Sequence, residues 1–210
     1  MGKISTYSVL STPTVSDKLI GTDVTTNNET KNFLIGDLLS LVIGGNIGKQ
    51  LGGGIVVSEW DENGVHKALI ASLTNLSSLP WTTSSYNGIL IGSTAQSFSD
   101  GSENTEAIIL QTGAPAANTY AAGIARGHTG GGFSDWYLPA VWELNMCYNS
   151  AVIVNRILGL TNGFLTNNYY WSSTESTLNV AWVQGFYNGD ATFNSKAANN
   201  YVRAVRIHNI

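Results

Sequence analysis

Charge is scarce in this chain: only 11% of its 210 residues are Asp, Glu, Lys or Arg, against about 25% in ordinary soluble domains. Its surface is therefore built of amides, hydroxyls and backbone. The ten basic residues are scattered and the net charge is −4, which leaves no electrostatic footprint for nucleic acid. A single cysteine, Cys147, excludes an intrachain disulfide and any multi-cysteine metal site, and reads as a small buried apolar residue. No apolar run reaches the roughly 18 residues that span a bilayer, so no membrane insertion is expected. Met1-Gly2-Lys3-Ile4-Ser5-Thr6 lacks the apolar core of a signal peptide. Proline is also rare, four residues against 23 glycines, and that balance predicts strands and turns with little long helix, because glycine destabilises a helix interior.

What the chain does have is aromatic residues at regular intervals in its last third. Gly132-Phe133-Ser134-Asp135-Trp136-Tyr137-Leu138-Pro139 is followed by Tyr170-Trp171-Ser172-Ser173-Thr174-Glu175, by Ala181-Trp182, and by Tyr201-Val202-Arg203-Ala204-Val205-Arg206. Such anchors predict one compact domain with small polar stretches between them. Earlier, Gly52 to Trp60 and Val65 to Ala71 flank a turn at Asp61-Glu62-Asn63-Gly64 and predict a hairpin. Residues 74 to 104 read as a long loop pinned by Trp81 and Tyr86. Helical spacing marks Thr105 to Gln111, Asn118 to Arg126 and Ala140 to Tyr148, the last with Val141, Leu144 and Cys147 on one face. Strands are expected at Tyr169 to Ser173, Ala181 to Phe186 and Asn200 to Ile207, with a turn at Asn188-Gly189.

Residues 1 to about 45 differ in character. Tyr7 to Leu10 and Asp17 to Asp23 read as short extended pieces around a turn at Thr12-Pro13-Thr14, Thr30 to Ile35 as a strand, and Gly36 to Ile43 as a short helix ended by Gly44-Gly45-Asn46. So small a segment buries little core alone and is expected to dock on a larger assembly.

Catalytic patterns are weak. Gly44 to Gln50 lacks the first glycine and the hydroxyl of a phosphate-binding loop and reads as a linker. His66, His128 and His208 have no helical metal-pair spacing. Asp135, Glu143 and Glu175 could serve glycoside hydrolysis as paired carboxylates, yet Asp135 and Glu175 lie within the aromatic frame, where capping or pairing with Arg203 or Arg206 is the plainer role. Trp136, Trp142, Trp171 and Trp182 could stack on sugars but read mainly as core. The expected ligand contacts are instead Thr177, Leu178, Asn179, Val183, Tyr187, Asp190, Thr192, Asn194, Ser195, Ala198 and Asn199, small and amide-rich with one rigid tyrosine, as in adaptable binding surfaces.

The ordered blocks Gly52-Gly53-Gly54-Ile55-Val56, Leu69-Ile70-Ala71, Trp81, Ser134 to Pro139, Glu143-Leu144, Tyr170 to Glu175, Ala181-Trp182 and Val202 to Arg206 resemble the Lcl C-terminal domain family over about residues 49 to 206. That family is named from a collagen-like bacterial adhesin and also occurs in phage fibre and variable receptor-binding proteins. The resemblance implies a C-type-lectin-like α+β domain with two or three short helices and long loops, non-catalytic, ligand-binding and often trimeric. Asn179, Asn188, Asn194, Asn199 and Asn200 also resemble the exposed positions of retroelement-diversified proteins. No collagen repeat precedes the domain; Leu19 to Asp23, Thr30 to Phe33 and Ile35 to Leu39 look instead like the leader of phage structural proteins. Formylglycine-generating enzymes share the broader fold but need catalytic cysteines, a requirement Cys147 alone does not meet.

The sequence thus predicts a virion fibre or decoration protein, made in the host cytoplasm and released by lysis. Residues 1–45 would anchor it to other virion proteins, and 49–210 would form a homotrimeric head for a host-surface glycan or protein. No cofactor is expected, and no oxygen-ligand loop of the EF-hand kind is present for calcium. Virion cement without receptor binding is the alternative, and a glycan-cleaving enzyme ranks last.

Overall fold

A computed structural model describes residues 18–23, 29–34, 45–113 and 118–210. The chain divides into two compact units, Met1–Asn46 and Ile47–Ile210. In the first, β1 (Lys18–Asp23) pairs antiparallel with β2 (Glu29–Leu34), Lys18 opposite Leu34 and Asp23 opposite Glu29. The expected strand at Thr30 to Ile35 overlaps β2. The pieces expected at Tyr7 to Leu10, Thr12 to Thr14 and Gly36 to Ile43 lie outside the described residues.

The second unit is α+β. Its first sheet runs β11-β5-β4-β3, with β3 at Gln50–Leu51, β4 at Gly54–Glu62, β5 at Val65–Ala71 and β11 at Val205–Asn209. The predicted hairpin forms between β4 and β5 around Asn63-Gly64, whose φ values of 52° and 78° are the left-handed pair a two-residue turn requires. The last strand, β11, pairs with the other edge of β5, Val205 opposite Ala71, so it lies beside the β4–β5 hairpin. Each face of this sheet carries a core: Val56, Ala68 and Ile70 contribute to one, and Ile55, Val57, Leu69 and Ala71 to the other.

A second sheet has the order β6-β10-β7-β8-β9, comprising Ser78–Leu79, Asn200–Tyr201, Tyr169–Glu175, Val180–Gly185 and Ala191–Ser195 respectively. The single strand expected over Asn200 to Ile207 is in fact two. The chain leaves the second sheet after Tyr201, crosses through buried Val202, Arg203 and Ala204, and joins the first sheet at Val205. Strand β9 occupies a stretch read from sequence as a polar surface segment.

Among the described residues the unit also has three α-helices: α1 (Gly101–Thr112), α2 (Ala121–Arg126) and α3 (Val141–Asn162). Helix α1 begins inside the expected loop, capped by Asp100, whose carboxylate accepts the Glu103 N–H at 2.9 Å. Trp81 is fully buried there as expected, but Tyr86 is only half-buried. Helix α3 corrects the expectation of short helices: it runs 22 residues, with a break where Gly159 takes φ 73°. Its buried face, Val141, Leu144, Cys147, Ala151 and Val154, continues one turn after another past Tyr148. The apolar run Ala151-Val152-Ile153-Val154 hides that periodicity in the sequence.

The two cores explain the aromatic frame. Trp81, Trp136 and Trp171 are fully buried with Ile108 of α1 and Ala121, Ala122 and Ala125 of α2. Each indole N–H donates to a backbone carbonyl: Trp81 to Ser172 (2.9 Å), Trp171 to Leu79 (2.8 Å) and Trp136 to Gly130 (3.2 Å). A buried indole donor needs such a partner. The second core places Tyr137, Phe164, Tyr170 and Phe186 against α3.

Candidate functional site

The acidic residues weighed for catalysis are committed to structure. Asp135 accepts both the Nε (2.6 Å) and Nη2 (2.8 Å) of Arg206, a bidentate pair that holds its carboxyl below the usual range. Glu175 and Lys196 form an ion pair with side chains 0% and 1% exposed, so the partner is neither of the arginines expected from sequence. Glu175 also accepts the N–H groups of Ile91 and Gly92 at 2.8 to 3.1 Å, which ties the long loop to β7. Arg203 is held by neutral oxygens: its Nη1 donates to Asn75 Oδ1 (3.0 Å) and the Asn162 carbonyl (2.8 Å).

Glu143 joins two helix starts. Its Oε2 accepts the N–H of Ala140 (2.8 Å) ahead of α3 and of Gly101 (3.1 Å) in α1, while its Oε1 accepts the Tyr137 hydroxyl (2.6 Å). Burial nevertheless pushes its carboxyl up to about 7, against the lowering exerted by those three donors. Burial likewise pushes the Cys147 thiol up to about 12, so it holds no thiolate at neutral pH and is no nucleophile. Among the described residues no group of three or more His, Cys, Asp or Glu side chains is placed to hold a metal ion.

The contact residues expected from sequence fall into two clusters on β8, β9 and their turns. Thr177, Leu178 and Asn179 are exposed in the turn before β8. They adjoin the turn after β9, because the Lys196 N–H donates to the Asn179 carbonyl (2.9 Å), and exposed Ser195 and Asn199 with half-buried Ala198 belong to this end. Tyr187 and Asp190 are exposed in the β8–β9 turn, where the Tyr187 and Tyr169 hydroxyls lie 2.6 Å apart. A strand's length, roughly 17–20 Å, separates the two ends. Thr192 and Asn194 lie between them, half-buried. Val183 is a correction: it is 1% exposed and part of the core.

Strand parity explains that error. Trp182 and Phe193 are directly opposed across β8 and β9, and successive residues point to opposite faces. Val183 therefore faces the core, whereas Trp182 and Phe193 face outward. Their rings are 4.2 Å apart, Phe98 lies 5.4 Å from Trp182, and Trp142 lies 5.8 Å from Phe98. This forms a row of four rings across the loop before α1, the first turn of α3, β8 and β9. Trp142 is 59% exposed, Phe193 50% and Phe98 39%, so Trp142 is not the core residue expected from sequence, and Trp182, also expected in the core, is only half-buried. The row is held by backbone: the Trp142 N–H donates to the Phe98 carbonyl at 3.0 Å. Beside it the Gln184 amide donates to the Gly189 carbonyl (2.7 Å) and its oxygen faces the Asn145 amide (3.5 Å).

Trp142 also forms one wall of a cavity of about 480 Å³ whose lining includes Trp60, Glu62, Ser99, Asp100 and Ser102. Of Asp135, Glu143 and Glu175, only Glu143 lines it. Sequence reasoning missed Phe98 and Phe193 altogether. The signal for Phe193 was alternation in Ala191-Thr192-Phe193-Asn194-Ser195, once that stretch is read as a strand.

The family model described as the Lcl C-terminal domain matches residues 73–206, more than half of the chain. The chain belongs to the Lcl C-terminal domain family. The Lcl match begins after the Gly52 to Ala71 blocks, although β5 of that hairpin is paired to β11. A solved structure similar to this Lcl-family chain is that of a fimbrial protein from Bacteroides ovatus ATCC 8483, at 17% identity and a TM-score of 0.43. The likeness covers 68% of this chain and 35% of the fimbrial protein, so the chain spans about a third of that protein's length. No curated protein matches the chain.

Proposed function

We propose that this protein is a phage virion fibre or decoration protein whose second unit is a C-type-lectin-like, non-catalytic head that binds a host-surface glycan or protein. Residues 1–45 attach it to other virion proteins, and three copies assemble so that weak single-site binding gains about 10² to 10⁴ in avidity. One observation carries this reading: the frame is buried and hydrogen-bonded, while Leu178, Tyr187 and Phe193, at 45%, 55% and 50% exposure, stand out from the strand edge it supports. Rigid scaffolds with exposed aromatic and amide groups at their turns are the build of a binding surface.

A second reading, virion cement, rests on the outer side of α3, where Met146, Ile153, Ile157 and Leu160 are exposed and fit packing between subunits. Particles carrying variants separate the two. Loss of adsorption with intact particles in Leu178→Ala plus Tyr187→Ala supports the binding head. Normal adsorption in that variant, with unstable particles in Ile153→Asp plus Ile157→Asp, refutes it in favour of cement.

A further inference from the structure

We propose that the cavity walled by Trp60 and Trp142 binds a quaternary ammonium group, the cation of choline-type molecules. The site uses none of Leu178, Tyr187 and Phe193, on which the binding-head reading rests. Its volume of about 480 Å³ falls within the roughly 300–1,000 Å³ of small-molecule sites. Half-buried Trp60, from β4, and exposed Trp142, from the first turn of α3, stand in its wall with the apolar side chains of Met146 and Ile207. Phe98 meets the Trp142 ring edge-on at 5.8 Å and steadies that wall. Among aromatic side chains, Trp attracts cations most strongly, because its ring face carries the negative end of the quadrupole.

Charge favours a cation. Glu62, Asp100 and Glu143 line the cavity, with no lysine, arginine or histidine among its described lining residues. Lys67 pairs with Glu62 from outside the lining, and the starts of α1 and α3 each return about half a positive charge. With Asp100 and Glu143 ionised, about one negative charge is left over, which a single cation balances. Hydrogen bonding narrows the class. Asp100 Oδ1 is taken by the Glu103 N–H, Glu62 by Lys67, and Glu143 by two backbone N–H groups and the Tyr137 hydroxyl. These groups keep their charge while most of their acceptor capacity is used. Ser99 and Ser102 add two hydroxyls, which serve one polar tail on a ligand but not the three N–H donors of a primary ammonium. A quaternary ammonium has no donor to leave unpaired, so it takes the aromatic wall and the negative field at no such cost.

The test titrates the full chain at about pH 8, where Glu143 is ionised, and reads tryptophan fluorescence and calorimetry. The probes are choline, its uncharged isostere with tert-butyl in place of trimethylammonium, and ethanolamine. Choline binds at millimolar concentration, and the other two bind at least about tenfold more weakly. Trp142→Ala removes an exposed wall, and Asp100→Asn removes a charge while keeping a capping oxygen. Each weakens choline binding about tenfold, whereas Leu110→Ala, on the exposed side of α1, leaves it intact. The proposal is overturned if choline fails to bind at millimolar concentration, if either control probe binds as tightly, or if Trp142→Ala and Asp100→Asn both leave binding unchanged. Co-sedimentation with phosphatidylcholine vesicles, alongside choline binding, makes a lipid headgroup the source of the cation. Choline binding without co-sedimentation makes the source a soluble or polymer-borne choline.

Discussion

Removing the cation of the buried Lys196–Glu175 pair leaves a carboxylate uncompensated in the core. Lys196 Nζ lies 2.5 Å from Glu175 Oε1, donates to the Ile89 carbonyl at 3.1 Å, and stands 4.7 Å from the centre of the Trp81 ring. In Lys196→Met the volume is nearly kept, so the loss is electrostatic: a carboxylate 0% exposed remains without its counter-charge. Breaking a buried pair from one side costs about 3–5 kcal/mol. Glu175 keeps the N–H groups of Ile91 and Gly92, which places the expected loss near the lower end, about 3 kcal/mol. For a domain of this size that lowers the melting temperature by roughly 6–12 °C. Thermal denaturation by circular dichroism measures it, and added salt should change the difference little because a buried pair is poorly screened. Glu175→Gln with Lys196→Met removes both charges while keeping an acceptor for the loop, and it should recover most of the loss. A drop under about 1 kcal/mol, or a double variant as unstable as the two single losses summed, refutes the assignment of a buried, coupled pair.

Two further stability outcomes follow from the geometry. Glu143 has its folded carboxyl raised from 4.5 to about 7, so between those values the native state binds more protons than the unfolded state. Its contribution is full below pH 4.5 and is lost as pH rises through about 7; at roughly 1.4 kcal/mol per pH unit it amounts to a few kcal/mol. Melting curves across pH should show Glu143→Gln lacking this slope. Gly131 takes φ 67°, and an added Cβ would land on the Gly53 backbone, so Gly131→Ala should cost more than the roughly 1–2 kcal/mol of a left-handed L-residue alone. Gly64→Ala has open space around it at φ 78° and should cost only that smaller amount in chemical denaturation.

Much of this molecule was legible where local chemistry decides. Asn63-Gly64 names its turn because only such residues take left-handed φ at low cost. The buried roles of Trp81, Trp136 and Trp171, the face of α3 from Val141 to Cys147, and the pairing of Asp135 with an arginine followed from residue type and spacing, and the ordered frame blocks placed the chain in its family. The length of α3 was not legible, since apolar residues on consecutive positions past Tyr148 erase the helical period. Nor was the split of the last strand, because Val202-Arg203-Ala204 reads as extended chain whichever sheet it serves.

The candidate site shows the boundary most clearly. Composition and spacing alone determined a sparsely charged surface of amides and hydroxyls, a single cysteine without a thiol partner in its own chain, and the core places of Trp81, Trp136 and Trp171. Tertiary structure alone decided which face of β8 looks outward: Ala181-Trp182-Val183 is apolar at every position, so no alternation marks its sides, and pairing with β7 and β9 fixes Val183 inward and Trp182 outward. It also decided that Phe98, from a loop, meets Trp142, from a helix start, through one backbone hydrogen bond. Contacts between residues far apart in sequence depend on how sheets and helices close around the core, and no local pattern encodes that closure.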